Sequence, residues 1–199
     1  MIVEPLHIQR TTDIATEPVT VTEAKAHLRV NHSDDDSYIT DLITVARQSA
    51  EISTRRVLGD EATIVASYDC FPLYQKSYRI PNPPIISLES VKYYDLSDNL
   101  QTIPSNEYVL NSDMNDSALL FFNDEFGKKT LSRERMAPVQ ITFKAGYTSA
   151  IIPKPLKQAI LLLISHYYDI REPILTTGTI QKVPRSVDFI FNQYKIRSV

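Results

Sequence analysis

The segment Lys154–Glu172 constrains the fold more than any other, because it reads as one long apolar helix. Pro155 stands where the first turn of a helix tolerates proline, and Pro173 blocks continuation of the helix. Apolar residues recur between the two prolines at helical spacing, namely Leu156, Ala159, Ile160, Leu163 and Tyr167. Leu161 and Leu162 widen the stripe, so we expect neighbouring elements to cover this helix on several sides. The helix is too short and too closely flanked by charge to span a membrane.

Two helices are predicted ahead of it. Thr20 and Glu23 match a capping box, which predicts a short helix within residues 18–30. A second helix is expected at about 34–57, where Ser33 can cap and three aspartates complement the helix dipole. Its inward stripe comprises Ile39, Leu42, Ile43, Ala46 and Ala50, with Arg47, Arg55 and Arg56 beside or beyond it. Gly59 is a natural stop for this helix.

Between Glu61 and Ser149 the period of the apolar residues changes to two, which is typical of strands. The predicted strands are Ala62–Phe71, Lys76–Ile80, Ile86–Asp95, Tyr108–Leu110, Ala118–Phe122 and Val139–Ala145. Short strands separated by turns predict an antiparallel sheet or a small barrel. Residues 1–16 show no clear period, and residues 1–8 are expected to form an extended arm.

The order of helices, strands and helices favours an α+β fold, in which a β-rich region is inserted into a helical bundle. We expect residues 1–59 and 150–199 to form the helical domain and residues 60–149 to form the insertion. After the long helix, a linker over Ile174–Val183 and a last short helix over Val187–Gln193 are predicted, followed by a mobile or partner-bound tail.

Composition excludes several classes of protein. The formal net charge is −3, without the basic bias of an electrostatic nucleic-acid binder. Cys70 is the only cysteine, which rules out an intrachain disulfide and a multi-cysteine metal site, and we expect it to be buried. The N-terminus lacks the pattern of a signal peptide, which predicts an intracellular protein. Four glycines against twelve prolines disfavour a glycine-rich phosphate loop.

No group of residues forms a specific catalytic motif. The run Asp34–Asp36 lacks the spacing of a calcium loop and is interpreted as a solvated helix start. His27 and His32 are five residues apart across a predicted break, unlike a helical metal pair, and His166 accompanies no nucleophile motif. Gly146 is interpreted as a turn residue that needs a permissive backbone. We therefore predict no enzyme activity, no cofactor and no metal.

Tyrosine is the more informative residue type, with eleven Tyr and no Trp in the chain. The pairs Tyr93–Tyr94 and Tyr167–Tyr168, together with Tyr194, can place a ring in the core and a hydroxyl at its rim. Tyrosine is also enriched in subunit interfaces. Both interpretations remain open from the sequence.

A set of segments, in one order along the chain, resembles the head–tail connector proteins of long-tailed bacteriophages and gene transfer agents, also called adaptor or head-completion proteins. The likeness is carried by Glu17–Val30, Asp34–Asp36, Ile80–Asp95, Ile141–Tyr147, Pro155–Ala159, His166–Tyr168 with Arg171–Glu172, Val183–Pro184 with Val187, and Tyr194–Lys195. The chain departs from the group in having no Trp, and in having Gln193 and Lys195 where Pro and Arg are common.

This resemblance implies a structural virion protein that forms an oligomeric, dodecameric ring. The ring would join the portal at the capsid vertex to the neck and tail and line the DNA channel. Implied partners are further copies of the chain, the portal, a head–tail stopper or tail terminator, and genomic DNA that passes without sequence-specific binding; no membrane is implied. Implied localisation is the head–tail junction of the virion, after assembly in the cytoplasm of the host bacterium. The candidate interface residues are Tyr167, Tyr168, Arg171, Phe189, Tyr194, Lys195 and Arg197.

Other functions remain as alternatives. The chain could be a tail terminator, another neck protein or a monomeric binding module. A small metal-dependent hydrolase or nuclease would instead use Asp34–Asp36 with His27 or His32.

Overall fold

A computed structural model of the chain describes residues 2–72, 77–113, 117–122, 129–147, 152–170 and 185–196. Within these ranges the fold is α+β, with helices and two antiparallel sheets, as the sequence predicted. The chain divides into two units. The β-rich unit consists of Met1–Ala15 and Glu61–Tyr147, and the helical unit consists of Thr16–Asp60 and Thr148–Val199.

The strands of the β-rich unit form two sheets. The larger sheet has the order β1-β2-β8-β4-β5, and the smaller has the order β3-β7-β6. The strand bounds are His7–Thr12 (β1), Ala62–Tyr68 (β2), Ser77–Ile80 (β3), Ile85–Tyr94 (β4), Leu100–Ile103 (β5), Tyr108–Asp113 (β6), Ser117–Phe122 (β7) and Val139–Ala145 (β8). Both sheets are open across the described strands, so the small-barrel alternative is wrong.

Alternating side chains place the core of the β-rich unit on one face of the larger sheet. Every second residue of β8 is buried, and Ile64 of β2 lies opposite Phe143 of β8 in the register. Because successive side chains of a strand point to opposite faces, this period of two fixes which residues enter the core. Tyr68 and Tyr78 are fully buried with ring centroids 4.3 Å apart, and burial raises the pKa of both hydroxyls.

Two strands were not predicted. β1 pairs with β2, but nearly all of its residues are exposed, so no alternation marks it in the sequence. β5 pairs with β4 and buries only Ile103. The pairing of β1 groups Met1–Ala15 with the strands, whereas the predicted helical domain included residues 1–59. Val3 also forms a parallel bridge to Tyr78.

The helical unit contains α1 (Val21–Leu28), α2 (Asp36–Thr54), α3 (Lys154–Asp169) and α4 (Arg185–Tyr194). The predicted capping box is present, because Thr20 accepts from the Glu23 N–H and Glu23 accepts from the Thr20 N–H. The stripe of α3 is buried, including Leu156, Ala159, Ile160, Leu163 and Ile164. α3 contacts each of the other helices, so it is the central helix of this unit.

The ends of α2 differ from the prediction. Its N-cap is Asp35 rather than Ser33, and the Ser33 carbonyl accepts from the Asp36 N–H instead. The helix ends at Thr54, because Arg55 takes a left-handed conformation with φ of 58° and the turn closes before Gly59. Gly146, predicted to need a permissive backbone, has φ of 149° and donates its N–H to the Pro84 carbonyl.

The prediction that Cys70 is buried is wrong. Cys70 lies in a bend two residues after Tyr68, the last residue of β2, and its side chain is exposed. Its backbone is held in place, since the carbonyl accepts a 2.6 Å hydrogen bond from the Tyr78 hydroxyl. Within the described ranges, no helix combines the length and apolarity needed to cross a bilayer.

Candidate interaction surface of the helical unit

A charge cluster that was not predicted from the sequence lies inside the helical unit. Arg47 is 1% exposed and donates from Nε to Glu17 at 2.9 Å and from a terminal nitrogen to Glu51 at 3.0 Å. The second oxygen of Glu51 accepts from the Leu58 N–H at 2.8 Å, and Thr44 donates to Glu17 at 3.0 Å. Both carboxylates are thus occupied as acceptors, which makes the cluster a structural tie between α2 and its flanking segments rather than an acid–base pair.

The acidic start of α2 is also occupied by packing contacts. Asp36 pairs with Lys25 of α1 at 2.6 Å, and Asp35 accepts from the Tyr168 hydroxyl of α3 at 2.5 Å. Asp34 lies 3.9 Å from His32. No group of three or more metal-ligating side chains is present in the described ranges. Among those residues, Asp34–Asp36 and the histidines therefore do not come together as a group of three or more metal ligands.

Glu23 joins α1 to α3. Its carboxylate accepts from Lys157 at 2.6 Å while it also closes the capping box with Thr20. The hydrogen bond from Lys157, followed by the one from the Thr20 backbone, lowers the pKa of Glu23 below its usual 4.5. The charged form of Glu23 is therefore the one that the folded helices favour.

The two central tyrosines of the candidate surface are half-buried and engaged within the subunit. The Tyr168 hydroxyl holds Asp35, and its ring lies 6.1 Å from that of Tyr38. The Tyr167 backbone carbonyl accepts from the Tyr38 hydroxyl at 3.5 Å, and the Tyr167 ring lies 5.8 Å from His166. The interpretation of a ring in the core with its hydroxyl at the rim fits Tyr168, because this hydroxyl has a partner in its own chain.

The remaining candidates separate into two kinds. Tyr194 is half-buried at the end of α4, and its carbonyl accepts from Arg56 at 2.7 Å. Phe189 is 65% exposed on the outer side of α4, and Lys195 is exposed just beyond that helix. Arg171, Arg197 and the predicted linker Ile174–Val183 lie outside the described residues. Among the candidates that the structure describes, Phe189 and Lys195 are the exposed ones.

Two exposed residues were missed by the sequence reasoning. Val45 is 49% exposed and Ile52 is 80% exposed on the outer side of α2. They are seven residues apart and therefore lie almost in line along the helix. Their exposure could have been inferred from the sequence, since both apolar residues fall outside the inward stripe of α2.

The β-rich unit exposes apolar residues at one end of its larger sheet. Arg135 donates two hydrogen bonds to the Asp98 carboxylate, at 2.6 Å and 2.9 Å. Its guanidinium carbon lies 3.6 Å from the centre of the Tyr94 ring. The hydrogen bond from Arg135 lowers the pKa of Asp98 below its usual value. Leu96 and Met136 adjoin these residues in the sequence and are 60% and 88% exposed. This end is a second exposed surface, fixed by an ion pair.

Comparison with known proteins gives a family and a fold. The family model described as "Phage gp6-like head-tail connector protein" matches residues 18–119, just over half of the chain. No curated protein matches the sequence.

Three solved structures of gene transfer agent (GTA) particles resemble the model in fold along almost its whole length. The virion of the native particle matches with a TM-score of 0.77 at 17% identity. The neck of the empty particle in C6 symmetry matches at 0.74 and 17%, and the neck of the native particle in C12 symmetry at 0.71 and 18%. Each match covers 98% of this chain and 97% of the other.

Proposed function

Because this chain belongs to the phage gp6-like head–tail connector family, we propose that it is a structural virion protein that assembles into a dodecameric ring. The ring joins the portal at the capsid vertex to the next neck or tail protein and surrounds the channel for the DNA. The chain makes and breaks no bond in this role, and it acts at the head–tail junction after assembly in the host bacterial cytoplasm.

The observation that carries the proposal is the shared fold over the whole chain. A partial match would be consistent with one borrowed domain, but both units align with a protein of the GTA neck and virion structures at TM-scores above 0.7. Those necks were computed in C6 and C12 symmetry, which supports a cyclic assembly of this chain.

The helical unit offers what a ring requires. A cyclic ring with head-to-tail contacts needs two different complementary faces on each subunit. Exposed apolar residues occur on both α2 and α4, and buried ion pairs and capping contacts hold these helices in place. Such exposure on a well-packed unit is typical of an interaction surface.

We assign the portal contact to the segment after α4, with Lys195 and Arg197 as its charged residues, and the opposite side of the ring to a stopper or tail terminator. Arg171 and the tyrosines Tyr167, Tyr168 and Tyr194 remain candidates for contacts between copies. We expect no sequence-specific contact with the DNA in the channel, since contacts to phosphates do not depend on the base sequence.

The test is to image the full chain together with its portal protein. We expect twelve-fold rings stacked on the portal in electron micrographs and a matching mass by mass photometry. Rings that bind only the distal tail proteins would identify a tail terminator. A monomer that never joins the portal would refute the proposal.

A nuclease assay with Mg²⁺ or Mn²⁺ addresses the hydrolase alternative. We expect no metal-dependent turnover. Turnover that is lost in Asp35→Ala would contradict a purely structural role, provided that the variant keeps its fold.

A further inference from the structure

The outer side of α2 carries an ordered stripe of exposed residues. Asp41, Val45, Gln48 and Ile52 follow one another at spacings of four, three and four residues, which places them along one line of the helix. All four are exposed, although the opposite side of α2 is buried in the helical unit. In order, the stripe offers an acid, an aliphatic side chain, an amide and a second aliphatic side chain.

The outer side of α4 carries a stripe with the same spacing. Arg185, Phe189 and Asn192 are separated by four and three residues, and all three are exposed. Val187 and Phe191, on the opposite side of α4, are buried. This stripe offers a base, an aromatic ring and an amide, in that order.

The two stripes complement each other when the helices run parallel. Asp41 then faces Arg185, Val45 faces Phe189, and Gln48 faces Asn192, at intervals of about 6 Å and 4.5 Å along both helices. If the helices ran antiparallel with Phe189 still against Val45, Arg185 would lie away from Asp41, and this charge pair would be lost. If the antiparallel helices place Phe189 on Ile52 instead, Arg185 falls next to the exposed Arg55, so like charges meet.

The charges at the ends of the stripes are available for such a pairing. The side chains of Asp41 and Arg185 make no ion pair or hydrogen bond in the described part of the chain. An acid on one face and a base on the other set the direction and register of docking, because opposite charges attract and like charges repel. Each chain carries both stripes, so the α2 stripe of one copy can pair with the α4 stripe of a second copy.

We propose that the α2 stripe (Asp41, Val45, Gln48, Ile52) of one copy docks in parallel on the α4 stripe (Arg185, Phe189, Asn192) of the next. This inference rests on the proposed ring and names the two faces that build it. The contact is heterologous, since each copy uses α2 toward one neighbour and α4 toward the other.

Cysteine cross-linking tests the contact. Cys70 is the only cysteine and is exposed, so Cys70→Ser provides a cysteine-free background. Val45→Cys with Phe189→Cys in the same chain should give, on oxidation of assembled rings, a ladder of covalent species beyond the dimer that collapses under reductant. Each substitution alone should give no species beyond a dimer, because a single position cannot link a third copy.

The matched control moves one cysteine around α2. Thr40 is exposed but lies about 140° around the helix from Val45. Thr40→Cys with Phe189→Cys should therefore give no ladder. A ladder as strong as that of the Val45 pair would overturn the assignment of the face.

Charge reversal provides a second test that introduces no cross-link. Asp41→Arg alone and Arg185→Asp alone should each reduce ring formation by about tenfold or more, and the two together should restore it. Because both side chains are exposed, circular dichroism should show unchanged folding of the single variants.

The outcomes separate the two proposals. If unmodified chain forms rings, alone or on its portal, but the Val45–Phe189 ladder and the charge rescue are both absent, the interface is refuted and the ring survives. If unmodified chain forms no ring even with its portal, the proposed function fails and this interface with it.

Discussion

At the scale of single residues, Arg47 shows how a charge is accommodated in the interior. Its guanidinium is enclosed between Glu17 and Glu51, and the Glu51 side chain is only 9% exposed. A buried carboxylate without its cation is costly, whereas the pair itself contributes little net stability. Arg47 was expected beside the apolar stripe of α2 rather than within the core, since arginine is seldom fully buried.

Arg47→Ala should therefore destabilise the helical unit by about 3–5 kcal/mol, because the largely buried Glu51 carboxylate would lose the cation that Arg47 supplies. Urea unfolding followed by circular dichroism measures the loss. The neighbouring Gln48 is exposed, so Gln48→Ala should change stability by less than about 0.5 kcal/mol. Equal stability of Arg47→Ala and the unmodified chain would contradict the role of the cluster.

Glu23 gives a prediction for pH. Its pKa is lowered in the folded state, so its stabilising effect is present above the usual value of 4.5 and is lost as the pH falls through the lower folded value. Glu23→Gln keeps an acceptor for the cap but loses the charge toward Lys157. We expect a deficit of about 0.5 kcal/mol at neutral pH that disappears in acid.

The measurement is urea unfolding of both proteins at a series of pH values from neutral to below 4.5. Glu23→Ala, which also removes the cap acceptor, should lose about 1 kcal/mol more at neutral pH. A deficit of Glu23→Gln that grows as the pH falls would have the wrong sign and would disprove the linkage.

At the scale of elements, one hydroxyl connects the end of α3 to the start of α2. Tyr168 donates to Asp35, the N-cap of α2, which makes no side-chain capping bond of its own. Hydrogen bonds to a charged partner are the stronger kind. The contact therefore fixes the relative position of two helices that are far apart in sequence.

Tyr168→Phe should destabilise the helical unit by about 1.5 kcal/mol, because the Asp35 carboxylate loses a charged hydrogen bond and the ring remains. Tyr167→Phe is the matched control, since no side-chain hydrogen bond of its hydroxyl occurs in the described ranges. Thermal unfolding compares the two variants. If Tyr167→Phe proves the more destabilising, the assignment of the tie to Tyr168 is wrong.

The elements also show where sequence reasoning is strong. The central helix, the capping box of α1 and the strands with alternating burial were predicted, because each leaves a periodic or local signal. β1 and β5 were not, because a strand whose side chains are mostly exposed gains its identity from pairing alone. α2 ends earlier than predicted because the Arg55 backbone is left-handed, and the identity of this residue does not indicate that conformation.

At the scale of the whole molecule, charge is unevenly divided between the two units. Counted from the sequence, the β-rich unit has 13 acidic and nine basic side chains, and the helical unit has 11 acidic and 12 basic ones. The β-rich unit therefore has a formal net charge of −4 and the helical unit one of +1, and the cationic residues after α4 belong to the nearly neutral helical unit. A nearly neutral unit is compatible with passage of DNA, since phosphate binding grows with each cationic contact.

The proposed portal contact gives a prediction at this scale. Lys195→Glu with Arg197→Glu should weaken binding to the portal by about tenfold or more, because like charges would replace complementary ones. Ring formation without the portal should not change. Biolayer interferometry with immobilised portal measures the affinity.

The control for this experiment reverses two exposed cations elsewhere in the chain. Arg133→Glu with Lys154→Glu changes the net charge equally but lies outside the segment after α4. Portal binding should then stay within about twofold of the unmodified chain. If both double variants weaken binding alike, the effect is one of net charge and the assignment of the segment is wrong.

The α+β class, the central helix and the resemblance to head–tail connectors could all be predicted from the amino-acid sequence. Each depends on a local feature of the chain, namely the hydrophobic period, the capping residues or the order of segments. The packing of the chain was needed to show that Arg47 is buried, that the Tyr168 hydroxyl bonds within its own subunit, that Cys70 is exposed and that α2 and α4 carry exposed apolar residues. These facts depend on which distant segments meet. A residue's partner or exposure is a property of the packed chain, and no local pattern specifies it.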